Sequence, residues 1–337
     1  MSPSLRSARA ARPPQLRLSL GLIAGIASVA LVSAGTLART GEPPVRVVRA
    51  RYAMGTILEI EAYGGEVRAV EAGVAAAFRV VDDVETRLSN WRPESEMSRV
   101  NAGTGEPFSL SPATWGSLTR AFALARETGG AFDPTVGAVT RAAPGRARPA
   151  AVGWQKAILD PRGRTLSFAV PGGAIDTGGF AKGEALDRAV ATLRSHGVEA
   201  ARLNFGGQIS LFGTSQRGAG RRLAAVAIAE PRTGSPHELG LFSAGDGSVS
   251  TSGRSERPGH IVDPATGAPV TFAGSVTVLA DTGTRADALS TALFVLGPAR
   301  GIAFADRRGI AALYVVPRGT GWQLVPSREF PRLRRLV

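Results

Sequence analysis

The chain of 337 residues contains no cysteine. That excludes disulfides, a thiolate nucleophile, Cys-ligated zinc, iron–sulfur clusters and a lipid-modified N-terminal cysteine. Histidine is scarce. His196, His237 and His260 are the three present, so a mechanism that needs an imidazole has a short list. Aromatic residues make up 6% of the chain, and they do not interleave with a basic stripe, which argues against nucleic acid as a partner. The common nucleotide and hydrolase signatures are missing as well. There is no G-x-x-x-x-G-K-[ST], no G-x-G-x-x-G opening a helix after a strand, no G-x-S-x-G and no H-E-x-x-H.

What is present describes a globular protein. Apolar residues reach 44% and charged residues only 20%, enough apolar material for a real core. The net charge of +13 is concentrated at the ends. Residues 1–50 hold seven Arg and one Glu, residues 328–337 hold four Arg and one Glu, and a net of +4 remains for the 277 residues between. A mildly basic body suits an anionic small molecule. Arg6, Arg9, Arg12 and Arg17 precede an uncharged run of 21 residues from Leu18 to Ala38, close to the ~20 residues that span a bilayer. This reads as an export signal or an uncleaved membrane anchor, with the positive end kept in the cytoplasm. The expected organisation is signal or anchor plus linker over 1–44, one body over 45–327 and a basic tail over 328–337. The body is expected outside the cytoplasmic membrane, on its outer face or in the periplasm.

Along the body, strand and helix patterns mix without a regular βαβ rhythm, which predicts an α+β fold with mixed sheets and packed helices. "TILEIEAY" alternates as a strand and residues 66–89 form an Ala-rich amphipathic helix. "SPATWGSLTRAFALARETGG" has Ser111 as N-cap, Pro112 at the first position and Gly129-Gly130 as its stop. The Pro/Arg stretch "RTGEPPVRVVRA" reads as linker. "ARLNFGGQISLFG", "RRLAAVAIAE", "GSVSTSG", "SVTVLA" and "AALYVVP" read as strands.

Chemistry is carried by short polar islands. In "AIDTGGFAKGEALD", Asp176 is expected to end a strand, Gly178-Gly179 let main chain approach a ligand, and Lys182 lies near a helix N-terminus that favours an anion. A solvated Lys on a plain strand–turn–helix is the alternative. "AFDPTVG" places Asp133 in an Asx-type turn. "NWRPESEMSRVN" offers Trp91 as a flat stacking surface or as core. His260 precedes "IVDP". In "ADALSTALFVLG", Asp287 and Thr291 stand four apart on one helix face. Burying that carboxylate costs several kcal/mol unless it is paired or binds a metal.

These islands occur in a fixed order: "MGT", "LSNWRPESEMSRVN", "GGAFDPTVG", "IDTGGFAKGEALD", "NFGGQI", "STSG", "HIVDPATG" and "VTVLADTGTRADALSTALFVLG". In this order they resemble the ApbE family, the FAD:protein FMN transferases, from about Met54 to Gly297. The resemblance implies an ApbE-like α+β fold and a magnesium-dependent transferase. Such an enzyme cleaves the FAD pyrophosphate and attaches FMN to a Thr or Ser hydroxyl of an acceptor protein, releasing AMP. It implies Asp287, Thr291 and the carbonyl of Gly179 as metal ligands. It also implies Met54, Trp91, Ala131, Phe132, Asp133, Asp176, Lys182 and Val262 as FAD contacts, and His260 as the general base. Gly259 stands where the family often has a second His. The alternatives are an FAD pyrophosphatase that uses water in place of the hydroxyl, and a protein that binds FAD without turnover.

Overall fold

The computed structural model describes residues 44–335, apart from 104–105, 142–146, 215–222, 233–234 and 255–258. The apolar run at 18–38 lies outside the described residues. The first strand, β1 (Val45–Ala53), pairs antiparallel with β2 (Thr56–Gly64). They join through Met54-Gly55, both at positive φ (45° and 83°), the pattern of a type I′ turn whose twist suits a hairpin. The part of the stretch read as linker that runs from Val45 is therefore strand, and residues 39–43 lie outside the described residues. The strand's alternation is hidden because Arg49 and Arg51 share the face of the buried Val47 and Ala53 and pair there with Glu71 and Asp82, while Arg46 on the opposite face pairs with Glu61.

After β2 come the helices α1 (Val67–Leu88) and α2 (Glu96–Ala102), strand β3 (Phe108–Ser109), and helices α3 (Pro112–Glu127) and α4 (Gly137–Thr140). Strands β4 (Ala157–Asp160) and β5 (Thr165–Phe168) pair with β3 in a small sheet ordered β3-β5-β4. Helix α5 (Ala181–Ser195) leads into β6 (Ala200–Phe205) and β7 (Gln208–Phe212). "ARLNFGGQISLFG", read as one strand, is thus a hairpin turned at Gly206-Gly207. The chain continues through β8 (Ala225–Ala229), β9 (Glu238–Ser243), β10 (Gly247–Gly253) and β11 (Ser275–Ala280). The final elements are α6 (Gly283–Arg308), β12 (Ala311–Arg318), β13 (Gly321–Pro326) and β14 (Arg334–Arg335).

Eight strands make the main sheet, in the order β1-β2-β6-β7-β10-β11-β12-β13, and every neighbouring pair in it is antiparallel. Its two faces are covered differently. On one, the α1 stripe Val70, Val74, Ala77, Val81, Val84 and Leu88 packs with Leu58, Ile60, Leu186, Leu193, Leu203 and Phe205. The spacing is that of one helix face. Further along that side, Leu289, Leu293 and Phe294 of α6 pack with Val276, Val278 and Tyr314. On the other face a second three-stranded sheet, β14-β9-β8, places Val226, Ile228 and Phe242 against Ile209, Leu211, Val249, Leu313 and Val315. β12 is buried from both sides, which accounts for its unbroken apolar run.

Residues 328–335 continue this second sheet. Phe330 lies 5.1 Å from Phe242, ring centre to ring centre, and Arg334 and Arg335 pair with Leu241 and Gly240. α6 is broken at Gly297 (φ 72°, ψ 171°), and Pro298 restarts it, a position where its missing N–H costs little.

A buried carboxylate ties α3 to α5. Glu184 accepts from Ser117 Oγ (3.0 Å), from Arg188 Nε (2.8 Å) and from Arg120 Nη2 at both oxygens (2.7 and 2.6 Å). Burial alone would raise its pKa, but Arg120 and Arg188 more than offset that and hold it below the ordinary value. Stability from a depressed acid is present above the ordinary carboxylate range and is lost as pH falls through the folded pKa. Glu184→Gln is expected to cost about 1–3 kcal/mol at pH 7, a deficit that shrinks below about pH 4; urea denaturation at several pH values checks it.

Candidate functional site

The functional cleft follows from a junction of two helix N-termini. A Cβ on Gly183, in the first turn of α5, would stand 2.2 Å from the carbonyl oxygen of Gly283, the first residue of α6; one on Gly283 would stand 2.6 Å from Gly183 O. Only paired glycines allow the helices to meet main chain to main chain. Asp187 secures the junction by accepting from Gly283 N–H (2.5 Å), Thr284 N–H (2.9 Å) and Thr284 Oγ1 (2.6 Å). Gln208 Nε2 donates to Gly283 O (3.0 Å). The positive ends of two helices therefore converge on one region, with carboxylates on the N–H groups of Gly183, Gly283 and Thr284.

One turn into α6 lies Asp287, 5% exposed, with Oδ2 accepting from Gly183 N–H at 3.2 Å. Burial pushes its carboxyl up to about 6, against the Lys182 ammonium and the Gly183 hydrogen bond, while the Asp187 charge adds to the rise. Thr291 Oγ1 donates to Asp287 O (3.2 Å). A Cβ on Gly179 would lie 3.2 Å from Thr291 Oγ1 and 3.1 Å from Phe132 Cε2, so the glycine turn, Thr291 and Phe132 are immediate neighbours. Among the described residues no group of three or more His, Asp or Glu could hold a metal. The set here is of another kind: one buried carboxylate, one hydroxyl and a main-chain carbonyl segment. Hard oxygen donors in that number suit Mg²⁺, which keeps its other positions for water and phosphate.

A cleft of about 1490 Å³ opens in front of this junction. All twelve residues expected at the site line it: Met54, Trp91, Ala131, Phe132, Asp133, Asp176, Gly179, Lys182, His260, Val262, Asp287 and Thr291. Met54 sits in the β1–β2 turn with its N–H donated to Glu85 Oε2 (3.2 Å). Trp91 is 78% exposed, so it is not core, and the Arg141 guanidinium lies 4.5 Å from its ring centre. Asp133 caps a 3₁₀ turn. It accepts from Thr135 N–H (2.9 Å), Thr135 Oγ1 (2.6 Å) and Trp154 N–H (2.7 Å), while burial raises its carboxyl above the ordinary range. The Asx-type turn is real, and what it shapes is the cleft wall. Phe132 packs edge-on against Phe180.

Asp176 does not end a strand. It lies in an extended, unpaired segment whose main chain docks on Pro134 O (2.7 Å). Its carboxylate accepts from Gly178 N–H (2.8 Å), Asn90 Nδ2 (3.2 Å) and Thr140 Oγ1 (2.5 Å). His260 is exposed at the cleft, at the start of a tight loop closed by Val270 N–H to Ile261 O (2.9 Å) and Asp263 N–H to Ala268 O (2.8 Å). Val262 bridges to Pro269 within it. His196 and His237 are exposed and do not line the cleft.

Sequence reasoning missed Asn90, Thr140, Arg141 and Gln208 as cleft residues, and Asp187 as the clamp. Asn90, Gln208 and Asp187 lie inside motifs quoted for other residues; their partners come from 75 to 97 positions away or from a neighbouring turn. Nothing in the local sequence marks Arg141.

The model of the ApbE family matches residues 54–314. The chain belongs to the ApbE family. It is 32% identical over 277 residues to an FAD:protein FMN transferase of Vibrio cholerae, a match covering 75% of this chain and 81% of that protein. A Treponema pallidum protein of the same name is 32% identical over 305 residues, covering 80% and 84%. The solved structure of the flavin transferase ApbE from Vibrio cholerae superposes with a TM-score of 0.73 at 30% identity, covering 86% of this chain and 99% of that one. An ApbE protein from Thermotoga maritima gives 0.74 at 26% identity, covering 86% and 100%.

In this ApbE-family chain, the unfolded Asp287 ionises near 3.8 and the folded one near 6. The cost of charging it therefore appears as pH rises through that window and is complete above it, at about 3 kcal/mol. Asp287→Asn is expected to stabilise the protein by up to about 3 kcal/mol at pH 7.5 in EDTA, with the gain fading towards pH 4; denaturant melts at both pH values check it.

Proposed function

We propose that this chain is an FAD:protein FMN transferase that uses magnesium, attaches FMN to a Ser or Thr hydroxyl of an acceptor protein and releases AMP. The observation that carries the reading is the junction itself: a buried carboxylate, a hydroxyl and a glycine turn beside Lys182, at converging helix N-termini, in a cleft large enough for a dinucleotide. The chain is a transferase, and the names of its relatives support flavin as the group it moves.

The chain's own groups divide the work. Lys182, at the positive end of α5, binds the pyrophosphate oxygens, where a cation and the helix dipole stabilise negative charge. Asp287, Thr291 and the Gly179 carbonyl would hold Mg²⁺, which when bound neutralises the bridging phosphates and the leaving AMP. Trp91, backed by Arg141, offers a ring face for stacking, and Met54 and the Ala131–Asp133 turn shape the cleft around the rest of the substrate. His260 takes the proton from the incoming hydroxyl, whose oxygen forms a bond to the FMN-side phosphorus as the bond to the AMP phosphate breaks. The proton passes to solvent or to the departing AMP, so charge and atoms balance. We place this chemistry outside the cytoplasmic membrane on the sequence of residues 6–38 alone.

Incubating the chain with FAD, Mg²⁺ and a candidate acceptor domain is the test. Covalent FMN on a Ser or Thr, by mass spectrometry, with one AMP released per transfer, is the expected result. FMN and AMP free in solution with no protein adduct would make it a pyrophosphatase, and unchanged FAD a binding protein. Asp287→Ala is expected to remove Mg²⁺-dependent FAD cleavage while circular dichroism stays native. His260→Ala is expected to keep FAD affinity and lose about 100-fold or more in transfer rate; normal transfer by that variant contradicts its role as base.

A further inference from the structure

One wall of the cleft is unlike the rest. β8 is the outer strand of the β14-β9-β8 sheet, and among the described residues no strand lies beyond it. Its hydrogen-bonding phase is fixed from two directions. Ala244 N–H donates to Ala224 O at 2.8 Å, and the register pairs Ala225 with Ser243, Val226 with Phe242 and Ala227 with Leu241. In an antiparallel pair, bonded and non-bonded positions alternate. Val226 therefore bonds across to β9, while Ala225 and Ala227 turn their N–H and C=O groups outward. Ala225 confirms the phase, because its carbonyl accepts from Arg202 Nη1 at 2.8 Å on the open side.

Ala227, Ile228 and Ala229 line the same cleft as Asp287 and His260. Open edges are normally blunted by charge, proline or a covering element. Here Arg202 Nη1 caps the outward carbonyls of Leu223 and Ala225 (2.8 Å each), so the open groups before the bulge at Ile228/Ala229 are Ala225 N–H and both main-chain groups of Ala227, and the alanine side chains there leave room for a second strand. An outward donor and acceptor on one residue, at strand spacing, complement another extended main chain. Pyrophosphate oxygens could use only the N–H groups of this wall and would leave its carbonyls unmatched.

We propose that the β8 edge is the docking strip for the acceptor polypeptide, which adds as an extended strand and so delivers its Ser or Thr to the cleft. This rests on the transferase reading. It makes the acceptor segment a loop or linker free to extend, recognised through its main chain.

Ala227→Pro tests it. The substitution deletes the outward N–H and leaves the β9 ladder intact, and proline is tolerated on strand edges. With an acceptor domain that the wild-type chain flavinylates, kcat/KM for that domain is expected to fall about tenfold, with FAD affinity unchanged. In the wild-type chain, amide exchange over residues 225–229 is expected to slow when the acceptor domain is added. That second measurement decides the matter even if the proline variant folds poorly. Undiminished transfer by folded Ala227→Pro, or transfer without protection at 225–229, overturns the docking strip and leaves the transferase reading intact. Failure of the wild-type chain to modify any protein overturns both.

Discussion

Two glycines meeting main chain to main chain are the constraint on which the site depends. Gly183 and Gly283 are 100 positions apart, and neither can carry a Cβ without driving it into the other's peptide. Their contact puts the starts of α5 and α6 side by side. That brings Gly183 N–H to Asp287, Lys182 to the same place, and Asp187 to the N–H groups that open α6. Without the contact, Asp287 would be a buried charge with no compensation, which a fold does not tolerate cheaply. With it, the carboxylate is held at the cost of a raised pKa.

The two-faced main sheet explains why the cleft can serve two substrates. Helices α1, α5 and α6 cover one face, and the starts of α5 and α6 meet at the cleft. The β14-β9-β8 sheet covers part of the other and ends at β8, whose outer edge carries no further strand among the described residues and borders the cleft. An anionic dinucleotide suits the first kind of surface, where Lys182 and the positive ends of two helices lie. A polypeptide suits the second, where donors and acceptors alternate. The loop carrying His260 also borders the cleft, and a proton acceptor is needed where the two substrates meet.

The parts that were legible in the sequence were those in which function distorts a local rule. "IDTGGFAKGEALD" stood out because paired glycines and a lysine interrupt an otherwise apolar pattern, and Asp287 because a carboxylate on a largely buried helix is tolerated only at an energetic cost. The α1 stripe and the Ser111 cap of α3 were legible because period and cap chemistry are local. β1 was not, since its arginines satisfy partners on β2 and α1 and mask the alternation. The turn at Gly206-Gly207 was quoted for its glycines but not recognised as splitting two strands. Asp176 looked like a strand end because an apolar run precedes it, yet that run docks on Pro134 rather than on a sheet. Asp187 and Gln208 carry their meaning entirely through Gly283 and Thr284, and no spacing rule reaches that far along a chain.

The most direct measurement of the central claim is anomalous diffraction from a crystal of this chain soaked with Mn²⁺ and FAD. The account predicts one strong peak bonded to an Asp287 carboxylate oxygen, Thr291 Oγ1 and the Gly179 carbonyl, with pyrophosphate oxygens completing the shell. A peak elsewhere in the cleft, or FAD bound in its catalytic pose with no metal at Asp287, would contradict it.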